Sequence, residues 1–284
     1  MTLGETMVGR AIAAVCRRWL LPLALLLTAA LTIGTVAGGW SRAVVLGETA
    51  TWFLLGLTAL ELCAGRWRPR LCELPRNLLF IAVGGLLDTG GTFLAAQLAL
   101  LLGGEGFGPV GALPFALAVP LGFVVADGVA YAIHRASHEH PLLWRMHALH
   151  HYPRELYVLM SPVNAPVLVF LFRALPVLAL VAAGFTADVI FAYAMFDTAL
   201  GLSSHVGVDT HNPWLSRVFN TPEVHRLHHS ADPAHFGNHS LLLTLWDRLC
   251  GTYVAPGEAV PTPGLTEPAA MPRTWLGLLL LRRA

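Results

Sequence analysis

The sequence predicts an all-α integral membrane bundle: four main spans, an apolar hairpin and a cytoplasmic, helical, histidine-rich cap. Three observations predict it. The 284 residues are 55% hydrophobic and 12% charged, with mean hydropathy +0.62, whereas a soluble domain carries about 25% charge. Four apolar runs approach the ~20 residues that cross roughly 30 Å of hydrocarbon. All 13 histidines lie between His134 and His239.

The first run, 19–39, follows Arg10, Arg17 and Arg18. Its apolar stretch exceeds the roughly 7–15 residues of a signal-peptide core, so it reads as a retained span. The second run, 44–64, ends before Arg66, Arg68, Arg70 and Arg76, and the third and fourth cover 78–102 and 110–133. The link between the first two runs carries only Arg42, and the link over 103–108 carries no Lys or Arg. The positive-inside bias therefore puts the N-terminus and the second-to-third loop in the cytoplasm. The fourth span returns inward, and the histidines emerge on the cytoplasmic side. Residues 162–202 are apolar again and long enough for a two-helix hairpin turning at 184–188, with Arg173 inside it. A central Arg costs about 2.5–3.5 kcal/mol on insertion scales, which suggests a short, tilted or interfacial hairpin. Residues 254–272 read as a Pro- and Gly-rich loop, and 274–281 before Arg282 and Arg283 as a short interfacial helix.

Net charge is +1, so no basic surface calls for nucleic acid. Cys16, Cys63, Cys72 and Cys250 are scattered, with neither disulfide nor zinc-finger spacing. The sequence has no G-x-S-x-G, H-E-x-x-H or phosphate-binding loop. The histidines carry the chemistry. His134-Arg-Ala-Ser-His138 places two imidazoles on one helical face, since i and i+4 are neighbours. Asp127 and Tyr131 share that face, and Asp127 is expected to accept a ring N–H from a ligand histidine. His147-Ala-Leu-His150-His151 and His225-Arg-Leu-His228-His229 repeat one spacing. Adjacent histidines diverge by about 100° on a helix and so reach toward two different ions. Eight histidines are too many for one tetrahedral zinc, which takes four ligands. They suit two ions. A lone histidine before the third cluster would make nine, either His205 or His211. His140, His235 and His239 fit no repeated spacing and are expected behind the ligands or at the surface.

At these residues the sequence resembles the fatty acid hydroxylase/sterol desaturase superfamily of membrane di-iron enzymes. The resemblance runs from about residue 124 to 253. It includes Asp127, His134 and His138, then Leu143-Trp144 before His147, His150 and His151. It continues through Ser204-His205, Thr221-Pro222 before His225, His228 and His229, then Asn238 and Trp246-Asp247-Arg-Leu-Cys-Gly251-Thr252-Tyr253. It implies a four-span bundle beneath a cytoplasmic site for two iron ions, with O2 as co-substrate. It also implies an electron donor in trans (a ferredoxin, a cytochrome b5-like protein or a reductase), since no cytochrome b5-like stretch is fused here. Asp127, Asn238 and Asp247 complete the candidate catalytic set as partners behind the metal ligands. Val206-Gly207, Asn238-His239-Ser240 and Cys250 depart from the common pattern without removing a ligand.

The expected organisation is N-terminal transmembrane helices over 1–109, a fatty acid hydroxylase-like catalytic domain over 110–253 and a tail over 254–284. The expected function is O2-dependent hydroxylation or desaturation of a lipid C–H bond, with fatty acyl, sterol, carotenoid and ether lipids all open. The absence of Lys, with many Arg and Ala, suggests a GC-rich bacterium and hence its inner membrane. The competing reading is a redox-inactive metal protein, a zinc-dependent hydrolase or carrier. A carrier should place its ligands near the bilayer midplane on several spans, whereas these crowd the end of one span and the segments after it.

Overall fold

The structure, a computed structural model, describes residues 6–67, 71–102, 104, 106–257 and 259–266. Arg68, Arg70 and the expected helix over 274–281 with Arg282 and Arg283 lie outside the described residues. Ten α-helices carry the described chain, and no strands occur among the described residues.

Four helices are long and apolar enough to cross a membrane: α1 Met7–Gly38, α2 Arg42–Ala64, α3 Leu74–Leu101 and α5 Phe115–Glu139. With the family relationship reported below, they make this an integral membrane protein. Helix α1 begins twelve residues before the expected start, because nothing over 7–18 breaks a helix. Its arginines therefore extend the same rod beyond the apolar run. Thr6 caps it, Oγ1 accepting from the Gly9 amide at 3.0 Å. The fourth span starts later than its apolar run. Pro109 lies within a single short turn, α4 Gly108–Gly111, and Pro114 then caps α5. Helix α5 continues to Glu139 and so carries His134 and His138 in its C-terminal part.

The apolar hairpin is present as α7 Pro166–Ala182 and α8 Ala187–Ser204. Gly184, at φ 84°, turns between them. Helix α3 packs along α7, α1 and α2 pack on α8, and α5 contacts α7 and α8. Arg173 on α7 is matched by two acids on neighbouring helices, Asp88 of α3 at 3.4 Å and Asp197 of α8 at 2.6 Å. Three helices thus share one ion cluster, and the arginine is not left bare in hydrocarbon. At the end away from the histidines, Arg42 pairs with Asp188 at 2.5 Å.

The cap comprises α6 Pro141–His151, α9 Pro222–His228, α10 Leu245–Cys250 and their loops. Buried carboxylates hold those loops. Glu61, at the C-terminal end of α2, accepts the amides of Val158 at 2.7 Å and Gly207 at 2.8 Å. Glu223 accepts Thr210 Oγ1 at 2.6 Å and the Asn212 amide at 2.5 Å. Arg226, buried on α9, donates to the carbonyls of Val206 and Val208. Each bond gives a buried loop amide or carbonyl the partner it would otherwise lack.

Candidate metal centre

The histidine spacing folds as short helical faces for a local reason. Pro141 and Pro222 stand at the first turns of α6 and α9, where a missing amide costs nothing. His147, His150 and His151 occupy the last turn of α6. His225 and His228 lie on α9, and His229 caps it.

Nine histidines gather into two groups. His134, His138, His147, His151 and His228 form one; His150, His205, His225 and His229 form the other. Within each group one ring nitrogen from each histidine lies within 4.8 Å of those of the others. The groups adjoin, with the His151 and His229 rings stacked at 4.3 Å. The adjacent pair His150 and His151 splits between them, as does the pair His228 and His229.

Hydrogen bonds fix how several rings present themselves. Nδ1 of His134 lies 2.6 Å from the His239 carbonyl, and Nδ1 of His228 lies 2.7 Å from that of Gly237. Nδ1 of His150 faces the Val163 carbonyl at 3.1 Å, and Nδ1 of His205 faces the Gly201 carbonyl at 3.2 Å. A carbonyl only accepts, so each of these Nδ1 atoms carries the proton and each Nε2 keeps its lone pair. Yet Nε2 of His205 lies 3.0 Å from Nε2 of His150. Two lone pairs face each other in a buried site, an arrangement that a shared cation satisfies and a hydrogen bond cannot. His138 Nε2 and His228 Nε2 are likewise buried without a partner.

The spacings also suit a metal. His134 and His147 approach at 3.0 Å through Nε2, His147 and His151 at 3.2 Å, His205 and His225 at 3.0 Å, and His225 and His229 at 3.0 Å. With metal–imidazole bonds of roughly 2.0–2.1 Å, two nitrogens at a right angle stand about 2.9 Å apart, and two at the tetrahedral angle about 3.4 Å. The observed distances, 3.0–3.2 Å, lie between these two values, so each pair is spaced as two ligands of one ion would be.

Burial sets the protonation. It pushes His147, His151, His205, His225, His228 and His229 well below the usual imidazole range, and the neighbouring histidines push the same way. Burial brings His150 down to about 4, against an opposing bond from Val163. Neutral rings are the form that binds metal.

The remaining candidates fall as follows. Between the two choices before the third cluster, His205 is in a group. His211 is in neither, and its backbone amide bonds the Arg17 carbonyl at 2.7 Å. Asp127 has different partners from those expected. Its carboxylate accepts the amides of Leu241, Leu242 and Leu243 at 3.2, 2.8 and 3.0 Å, rather than an imidazole N–H. Asp247 accepts the amides of His239 and Ser240, both at 2.8 Å. The two carboxylates thus pin residues 239–243, and the His239 carbonyl in turn orients His134. Asn238, at φ 55°, clips the same loop by donating to the Val254 carbonyl at 2.9 Å and accepting the Val254 amide. His140 is exposed at the start of α6, and His235 meets Ser230 Oγ at 2.9 Å. The His239 ring packs 4.9 Å from that of His138.

Sequence reasoning missed four positions that shape this centre. Asn164 places its amide 3.1 Å from Nδ1 of His147. Phe172 packs 5.6 Å from the His134 ring. Glu61 and Glu223 hold the loops beside it. Glu61 had a usable signal, an acid inside an apolar run; the other three had none.

The profile of the fatty acid hydroxylase family matches residues 119–252. Ornithine lipid hydroxylase OlsE of Rhizobium tropici is 36% identical over 156 residues, covering 54% of this chain and 46% of that protein. Alkylglycerol monooxygenase of Danio rerio is 28% identical, covering 55% of this chain and 34% of that protein. Fatty acid hydroxylase vlmA of Lecanicillium sp is 29% identical, covering 45% of this chain and 40% of that protein. The chain spans less than half the length of these curated relatives. No solved structure matches. The matched region holds all nine grouped histidines and both pinning carboxylates, and residues 119–252 are thus a fatty acid hydroxylase domain by resemblance to that family.

Proposed function

We infer that the chain is a membrane-bound non-haem di-iron oxygenase that hydroxylates or desaturates a C–H bond of a bilayer lipid, using O2 and external electrons. The observation that carries this reading is the facing lone pairs of His150 and His205 within a nine-histidine, two-group centre. Two iron ions, when bound, supply the redox chemistry for O2 reduction and C–H cleavage that no side chain here can supply. Five nitrogens in one group exceed the four of a tetrahedral zinc, which weighs against the redox-inactive alternative.

The protein's own residues hold and orient. The nine grouped histidines present neutral nitrogens. The carbonyls of His239, Gly237, Val163 and Gly201 keep the proton on Nδ1 of four of them. Asp127, Asn238 and Asp247 act one step further out, fixing the loop that carries two of those carbonyls.

The substrate is a lipid, a reading supported by relatives named for ornithine lipid, alkylglycerol and fatty acid. Arginine placement supports a cytoplasmic centre, and the Lys-free composition supports a bacterial inner membrane. A ferredoxin, cytochrome b5-like protein or reductase delivers electrons in trans. The test is reductant-dependent O2 uptake by purified protein with lipid extract, alongside metal analysis. The expected result is two irons per chain and a lipid that gains one oxygen or loses two hydrogens by mass. His150→Ala is expected to lose iron and activity together; an active variant with unchanged iron overturns the assignment.

A further inference from the structure

Helix α10 does not sit on top of the bundle. Trp246 Nε1 donates to the Val124 carbonyl of α5 at 3.1 Å. The Trp246 ring is so close to Gly128 that a Cβ there would stand 2.7 Å from it. Asp127 holds residues 241–243. Val124 and Asp127 lie ten and seven residues before His134 on the same helix, or roughly 15 and 10 Å at 1.5 Å per residue. They lie on the side of His134 that leads into the span. A second segment follows α10 to this depth: the Thr244 amide donates to the Val218 carbonyl at 2.9 Å, and Phe219 pairs with Leu243.

The outward faces of both segments are apolar. Leu249 is 67% exposed and Val218 52%, with Trp214 and Leu245 also exposed. Leu117 and Leu121 of α5 are exposed as well. In the series Leu117, Leu121, Val124 and Gly128, whose last two members meet Trp246, the steps are i+4, i+3 and i+4. Arg217 and Arg248 are exposed on the same segments. The Arg217 side chain can keep its charge at the headgroups while its stem lies in hydrocarbon, and the Arg248 guanidinium lies over the Tyr253 ring at 3.9 Å.

Irregular backbone inside a bilayer requires an internal partner for every polar group. Here the amides of 239 and 240 go to Asp247, those of 241–243 to Asp127, that of 244 to Val218, and that of 252 to Asp247. None of these amides depends on water, so the segment meets the condition a bilayer sets.

We propose that the lip formed by residues 214–219 and α10 is embedded in the bilayer leaflet on the histidine side, its apolar face against acyl chains. The proposal rests on α5 being a span and is independent of the metal. The test uses nitroxide labels in full-length protein reconstituted into phosphatidylcholine–phosphatidylglycerol vesicles. Cys63, Cys72 and Cys250 are replaced by Ser, and single labels are placed at Leu249→Cys and Val218→Cys. Leu121→Cys reports the lipid face of α5, and Phe236→Cys, exposed in the cap, reports water. At Leu249 and Val218 oxygen collisions are expected to exceed those of a water-soluble nickel chelate, with the sign seen at Leu121 and opposite to Phe236. A Phe236-like sign at both lip positions overturns the proposal. Low collision with both agents also overturns it, because protein would then cover the face. Two positions on separate segments guard against one variant misfolding, and the Leu121 control shows independently whether α5 spans.

Discussion

His150 shows what the centre asks of one residue. Its ring is buried, its Nδ1 proton is committed to Val163, and its pKa is brought down to about 4. In the unfolded chain an imidazole titrates near about 6.5. Between those values the unfolded state binds the proton and the folded state refuses it. Stability therefore rises with pH across that window and falls as pH drops below about 6.5. The other depressed histidines act in the same direction, and protons compete with metal for the same lone pairs. Lowering pH from 7.5 is thus expected to lower melting temperature and bound metal together, most steeply between about pH 6.5 and 4. Thermal denaturation and metal analysis across that range check it, and constant metal content down to pH 4.5 refutes it. At this scale the sequence was readable wherever helical spacing set the answer. It was silent where a partner is a distant main-chain atom. No spacing could announce that Asp127 would find the amides of residues 241–243 instead of an imidazole.

Among the elements, α3, α7 and α8 are joined by the Asp88–Arg173–Asp197 cluster. From sequence Arg173 argued for a short or tilted hairpin; in the fold two acids on two other helices answer its charge. Arg173→Leu leaves both carboxylates without their cation and is expected to destabilise by about 3–5 kcal/mol, the cost of removing one partner of a buried ion pair. Replacing Arg173, Asp88 and Asp197 together by Leu removes the charges as a set and is expected to recover most of that loss. Thermal unfolding in one detergent measures both. No recovery in the triple variant means the cluster does more than hold helices. The spans themselves were legible as apolar runs, but their ends were not. Three arginines continue α1 beyond its run, and Pro114 delays α5.

For the whole molecule, the apolar runs and the confinement of histidines to one stretch foretold membrane-spanning helices with a histidine-rich cap at one end. The loops that complete the cap carry no periodicity, and their course is set by Glu61, Glu223, Asp127 and Asp247 reaching across the chain. The division of nitrogens, five on one side and four on the other, makes the two positions unequal neighbours. Loading should then be stepwise. Ferrous ion titrated anaerobically into stripped protein is expected to fill the richer position first, giving two resolved binding steps and, at half-loading, a single Mössbauer doublet joined later by a second. One step with both doublets growing in parallel would mean that the pair fills as a unit. Were both positions filled, the four-nitrogen one would have fewer sides taken by protein and would be the place for an exchangeable partner to enter.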